Sequence, residues 1–174
     1  VTGVALPPGF SLEPLQRSHQ RGPFDCGQRK VKDWLHIRAL QHQDKRLSTT
    51  RVLIDRDKAI AGFYTLATGQ VDFGDLPSAL ARKLPRRALP VAVLAWPGVS
   101  VTRQGQKLGD LLLAQALRDC YEAGQSFAFV AVIPDCVDDR ARESCQQRDF
   151  AELPGNPYRL FLSSQTLTAM MTPF

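Results

Sequence analysis

The stretch that most narrows the possible folds is Arg103 to Gly109, "RQGQKLG". It sits between an apolar segment, "PVAVLAWPGVSV", and an amphipathic one that opens with "LLLAQAL". A strand, a glycine-bearing turn and a helix in that order gather free backbone N–H groups at the positive end of a helix dipole, which makes a place for an anion. Glycine lets the backbone come close to such a ligand. Gly105 and Gly109 meet that need, yet Lys107 stands where another glycine would fit. If φ at 107 is positive, a side chain there is strained and crowds the ligand. If it is ordinary, the ammonium points outward or pairs with a phosphate. Alone the turn is a weak signal, because turn glycines are often merely structural.

The rest of the chain reads as mixed helix and strand. Val1 to Gly22 is proline-rich and aperiodic, strand or coil. From Gln28 to Lys45 the period is helical: Val31, Trp34, Leu35 and Arg38 share a face, with Ile37 and Leu40 beside it. "RVLID" and "AIAGFYTLAT" flank the polar turn Arg56 to Lys58 as a hairpin. Gly69 to Leu89 reads as loop with one helical turn near Ser78 to Leu84. The strand before the anion turn is irregular at Pro97, which cannot donate to a ladder. In the helix after it, Leu108, Leu112, Ala116 and Cys120 form an apolar stripe and Gly124 a stop. "SFAFVAVI" fits a buried strand. Asp138 is placed to cap a helix through Gln147 with Ala141 and Cys145 inward, and "YRLFLS" is a closing strand.

Composition sets outer limits. A chain of 174 residues with no linker or internal repeat is expected to form one domain, 1–174. No apolar run reaches the length of a membrane span and no signal-peptide pattern opens the chain, so a cytoplasmic protein is the expectation. Cys26, Cys120, Cys136 and Cys145 form no CxxC pair, and His19, His36 and His42 give no zinc spacing with them. Buried reduced thiols and no metal are expected. The net charge of +5 favours polyanionic partners. Arg82, Lys83, Arg86 and Arg87 crowd into "ARKLPRRALP" without interleaved aromatics, a pattern that a solvated loop fits equally well.

These segments together resemble the GNAT acetyltransferases. That family carries Q/R-x-x-G-x-G/A between its fourth strand and third helix, where backbone amides hold the pyrophosphate of acetyl-CoA. Gln104-Gly105-Gln106-Lys107-Leu108-Gly109 matches it at the Gln and the last Gly. "FDCG" before a helix bearing "WL", then "GFYTLAT", "KLPRRALPVAVL", "DDRARESCQQRDF" and "PGNPYRLFL", is similar to the GNAT branch that acts as toxins of toxin–antitoxin pairs. The resemblance runs from about His19 to Leu162. It implies an α+β fold with a mixed, mostly antiparallel central sheet flanked by helices. It also implies acetyl transfer from acetyl-CoA to the α-amine of aminoacyl-tRNA, a homodimer, and a ribbon–helix–helix antitoxin. Val99 would then support the thioester carbonyl through its backbone, next to Ser100 and Val101. Residues Gln104 to Gly109 would hold the cofactor, and Arg82, Lys83, Arg86 and Arg87 would meet tRNA phosphates.

A second motif departs further from the pattern. The toxins place a tyrosine proton donor in A-[KR]-x-F-Y-x-x-x-G-F, whereas this chain reads Ala141-Arg142-Glu143-Ser144-Cys145-Gln146-Gln147-Arg148-Asp149-Phe150. Cys145 takes the tyrosine's position and Asp149 that of a glycine. A thiol is a weaker donor on a shorter side chain. Three readings stand: Cys145 as a buried small hydrophobe in an impaired enzyme that works by binding, as an acid acting through a water, or as a nucleophile. A GNAT enzyme acetylating a protein or small-molecule amine is the remaining alternative.

Overall fold

The computed structural model describes residues 4–135 and 139–172. Seven strands form one sheet in the order β1-β2-β3-β4-β5-β7-β6. The β1/β2, β2/β3, β5/β7 and β6/β7 pairs are antiparallel and β4/β5 is parallel. This is the mixed, mostly antiparallel sheet with flanking helices that the sequence leads one to expect. The chain divides into two compact units, Thr2–Ala67 with Trp96–Ala116, and Thr68–Ala95 with Leu117–Phe174.

The first unit holds β1 (Ser11–Pro14), β2 (Thr49–Ile54), most of β3 (Ile60–Val71) and the end of β4 (Leu89–Val99). Val52 faces Phe63 across the β2/β3 ladder, and the register shifts between Leu53 and Ile54 just before the expected hairpin turn. Against these strands lies one helical run in three parts: α1 (Arg29–Asp33), a π segment (Trp34–Arg38) and α2 (Ala39–Asp44). Its buried face is Val31, Leu35, Ala39 and Leu40, packed with Phe24, Val52, Ile54 and Phe63. The helix lies where the period puts it, but Arg38 does not share that face. The π turn takes in an extra residue and advances the phase, so Arg38 and Ile37 turn outward and Ala39 takes the buried position. Arg21 Nη1 donates to the His36 carbonyl within this turn at 3.3 Å, and His36 Nε2 lies 2.9 Å from the Phe24 carbonyl.

The start of α4 (Leu108–Gly124) completes this unit, with Leu108, Leu112 and Ala116 buried as the apolar stripe requires. One glycine is needed where strands and helix meet. A Cβ on Gly62 would lie 2.7 Å from Leu112 Cδ1 and 2.9 Å from the Gly98 carbonyl oxygen.

The second unit contains α3 (Ser78–Ala81), the start of β4, β5 (Ala131–Pro134), α5 (Asp139–Gln146), β6 (Ala151–Leu153), β7 (Asn156–Ser163) and α6 (Ser164–Met171). Its core gathers Val71, Leu76, Ala81, Leu89, Val91, Ala131, Ile133 and Leu153. The segment read as loop begins with three further residues of β3 and includes the expected helical turn as α3. The strand read into "SFAFVAVI" is shorter than expected. Ser126 and Phe127 both donate backbone N–H bonds to Ala123, closing the exit of α4, and Phe127 is 79% exposed. Only Ala131 onward enters the sheet, and Phe129, within that run, is half-buried. The β6/β7 hairpin was not foreseen, and β7 does not close the chain. Ser163 caps a further helix, α6, by accepting from the Thr166 N–H at 3.1 Å. The cap proposed for Asp138 lies outside the described residues.

The π-shifted phase makes a direct prediction. Leu35→Ala should cost about 2–5 kcal/mol in chemical denaturation. Ile37→Ala should stay within about 0.5 kcal/mol of the parent. Equal costs would mean that Ile37 is buried and that the helix does not face the core as described.

Candidate active site

The Arg103–Gly109 turn lies wholly in the first unit. The β4/β5 ladder pairs Val91 to Leu94 with Ala131 to Pro134, and β4 then runs on to Val99. A 3-10 turn, Val101–Arg103, follows, and α4 begins at Leu108. Four ties hold the backbone between them. The Ser100 N–H donates to the Ala61 carbonyl of β3 at 2.8 Å, and the Val101 N–H to the Asp25 carbonyl at 2.8 Å. The Gln104 side-chain amide donates to the Cys26 carbonyl at 3.1 Å and to the Val99 carbonyl at 3.2 Å. Arg103 Nη2 donates to Asp55 Oδ2 at 2.9 Å. The "FDCG" segment is thereby a strap laid along the turn, its bend shaped by Asp25 Oδ1 accepting from the Gly27 N–H.

Asp55 is the buried end of these ties, 7% exposed. Burial pushes its carboxyl up, but the N–H groups of Ala59 and Asp57 and the Arg103 guanidinium outweigh that and hold it below the ordinary carboxylate range. Arg103 also lies 5.5 Å from the Phe10 ring centroid.

Between these anchors the backbone keeps a glycine-like path. Gly105 has φ 84° and Lys107 φ 59°, both left-handed. The strained alternative for Lys107 is therefore the one adopted, at roughly 1–2 kcal/mol for a residue with a Cβ. Space around Gly105 is open, since a Cβ there would meet nothing within 4 Å. The first helical bond in α4 runs from the Leu111 N–H to the Lys107 carbonyl. The N–H groups of Leu108 and Gly109 lie ahead of it, without an intrahelical acceptor by construction. Gln104, Gly105, Gln106, Lys107 and Gly109 are exposed, Leu108 is buried, Val99 half-buried and Val101 exposed. A fixed, solvent-facing cradle results.

The other sequence candidates belong to the second unit. Cys145 on α5 is 9% exposed. Asp149, at the second glycine-like position, has φ 66°, so there too the backbone conformation is kept while the residue differs. Arg82, Lys83, Arg86 and Arg87 are exposed, with the Arg86 guanidinium 5.7 Å from the Phe73 ring centroid. Cys120 is buried, which pushes its thiol up to about 12 and makes it a packing residue. Among the described residues no three His, Cys, Asp or Glu are arranged to hold a metal, and no helix is long and apolar enough to cross a membrane. Sequence reading missed Asp55 and Arg103 because they are 48 residues apart with nothing local to link them.

Two variants follow from this geometry. Asp55→Asn should lower stability at neutral pH by about 1–3 kcal/mol, since it leaves a guanidinium without its charge partner. Because the folded carboxyl titrates below its unfolded value, its contribution is complete above about pH 4 and is lost as pH falls through the folded pKa. Parent and variant should converge in acid unfolding, and a gap that persists there would rule out the charge as its source. Lys107→Gly should raise the unfolding midpoint, by up to about 1 kcal/mol, because it relieves the left-handed strain. A loss of stability would show that the ammonium is anchored.

No family model matches the chain. A tRNA-acetylating toxin of Mycobacterium tuberculosis is 32% identical over 148 residues, 85% of this chain and 88% of that protein. A tyrosine-to-phenylalanine mutant of KacT superposes with TM-score 0.87 at 21% identity over 94% of this chain and 99% of its own. AtaT, solved with acetyl-methionyl-tRNAfMet, gives 0.85 at 20% identity over the same shares. Strand order, the Gln104–Gly109 cradle and a relative of that identity across most of both chains converge on one conclusion: this chain belongs to the GNAT-fold family of tRNA-acetylating toxins.

Proposed function

We propose that this protein is an acetyl-CoA-dependent N-acetyltransferase that modifies the α-amine of an aminoacyl-tRNA and so blocks translation. The observation that carries the reading is the Gln104–Gly109 cradle, with Gly105 and Lys107 both at positive φ ahead of the first bonded N–H of α4. AtaTR bound with acetyl-CoA is among the structures of the same fold, which supports that co-substrate. The backbone N–H groups from Gly105 to Gly109 would receive the pyrophosphate, with the Lys107 ammonium adding charge at the rim. Val99 and Val101 flank the cradle on the strand side.

The acetyl group arrives as a thioester. The neutral amine attacks its carbonyl carbon, the C–N bond forms, the C–S bond breaks, and the sulfur leaves as a thiolate that needs a proton. A backbone N–H of β4 near Val99, beyond the last β5-paired residue, polarises the carbonyl as oxyanion character develops. Cys145 stands where the family has its tyrosine donor. Its buried, weakly donating thiol makes protonation of the leaving group the slow point of the reaction. Arg82, Lys83, Arg86 and Arg87 contact tRNA phosphates in this reading, the molecule works as a cytoplasmic homodimer, and a ribbon–helix–helix antitoxin neutralises it. AtaT has been solved with the C-terminus of its antitoxin AtaR, which supports a partner of that kind.

The cysteine favours one rival, a relative that acts by binding antitoxin, RNA or CoA without efficient transfer. A protein or small-molecule amine as acceptor is the other. Labelled acetyl-CoA and bulk charged tRNA, incubated with the protein beside Cys145→Tyr, separate them. The protein should label tRNA, and the tyrosine variant should do so at least about 10-fold faster, on the scale of a general acid. A parent rate that the variant does not exceed removes Cys145 as the slow point. Label on added protein or amines but not on tRNA moves the acceptor. Failure of acetyl-CoA to bind in calorimetry ends the enzyme reading.

A further inference from the structure

The positive charge of this protein is not where its most conspicuous basic motif is. The unit containing the anion cradle, Thr2–Ala67 with Trp96–Ala116, has thirteen Lys and Arg against seven Asp and Glu. The unit containing Arg82 to Arg87 has nine against ten. The whole excess therefore belongs to the cradle's own unit, and within it to one stretch: residues 17–51 hold nine basic side chains and three acidic ones.

Each of those three carboxylates already has a partner, Arg17 with Asp44 at 3.2 Å, Arg29 with Asp33 at 3.8 Å and Lys32 with Asp25 at 3.8 Å. Lys30, Arg38, Lys45 and Arg46 are exposed and make no ion pair among the described residues. The π segment decides how they are arranged. At about 100° per α residue and about 80° per π residue, Lys30, Arg38 and Lys45 fall within about 40° of one another, turned roughly 100–140° away from Val31 and Leu35. An unbroken α-helix would offset Lys30 from Arg38 by about 80°. Trp34 and His42, also eight residues apart, meet edge to face at 4.6 Å between ring centroids, as the shifted phase requires. At about 1.5 Å per residue the row is about 20 Å long. Trp34 is packed against the core with Nε1 bonded to Thr65 Oγ1, and Phe24 is buried, so the row presents charge and no stacking platform.

We propose that the row Lys30–Arg38–Lys45, with Arg46 at its end, is the surface that receives the phosphate backbone of the RNA acceptor. Arg82 to Arg87 is then a secondary contact. The row rests on the reading that the acceptor is an RNA. Its recognition is electrostatic and independent of base sequence, as befits unneutralised cations on an exposed helix.

The test uses the full-length chain and bulk uncharged tRNA, with binding followed by fluorescence anisotropy across a salt series. Lys30→Gln/Arg38→Gln/Lys45→Gln should lose at least about 10-fold in affinity at low salt, and its plot of log K against log salt should be shallower by about two to three. Each single substitution should account for about one of that slope. Acetyl-CoA binding by calorimetry should match the parent, which separates a lost RNA surface from a lost fold. Parent-like affinity and slope in the triple variant overturn the row. If the loss appears only when Arg82, Lys83, Arg86 and Arg87 are changed to Gln, the row falls and the RNA reading stands. If the parent itself retains no tRNA at low salt, both fall.

Discussion

The Asp55 carboxylate is the constraint on which the functional end of this molecule depends. A buried charge is tolerated only with partners, and Asp55 draws them from two places: the N–H groups of its own β2–β3 turn and the Arg103 guanidinium. The hairpin turn and the approach to the anion cradle must therefore form together. Ser100 and Val101, bonded to Ala61 and Asp25, extend the same coupling to β3 and to the strap before α1. The Gln104 amide then bridges the strap to the end of β4. Backbone N–H groups fixed in this way need not be ordered at the moment a ligand binds.

The positions at which the sequence leaves its family pattern are of two kinds. Lys107 and Asp149 both occupy left-handed backbone that glycine would adopt without strain. Neither substitution moved the chain into a new path; the surroundings over-determine it, and the cost stays local. Asp is among the residues that tolerate this region, so Asp149 is the milder case, while Lys107 has no such local compensation. Cys145 differs in kind. There the backbone is an ordinary helix, and what differs from the family pattern is the side chain alone.

What could be read in the sequence follows from the range of the interactions. The strand–turn–helix of Gly98 to Ala116, the stripe along α4 and the hairpin at Arg56 to Lys58 are local, and each was legible as period or turn chemistry. The π segment was not, because what stabilises it is the reach of Arg21 to the His36 carbonyl, a contact fifteen residues distant. The apolar run "SFAFVAVI" misled for another reason: hydrophobicity alone does not say whether a residue enters a sheet or closes a helix, and Phe127 does the latter. The site divides in the same way. Gln104 to Gly109 were visible as a motif, whereas the Asp55–Arg103 pair that holds them needed three dimensions.

Charge was legible as a total and illegible as a distribution. Four basic residues in a six-residue span attract the eye at Arg82 to Arg87, yet the unit that contains them is close to neutral because acids elsewhere in it offset them. The cations of residues 17–51 are spread at intervals that look unremarkable on an α-helical wheel. One π turn, by rotating the second half of the helix against the first, narrows the spread of Lys30, Arg38 and Lys45 from about 80° to about 40°. The same extra residue that carries Ala39 into the core carries Arg38 to the surface. Packing the helix and presenting its charge are thus a single structural event, and a change that restored α phase would disturb both at once.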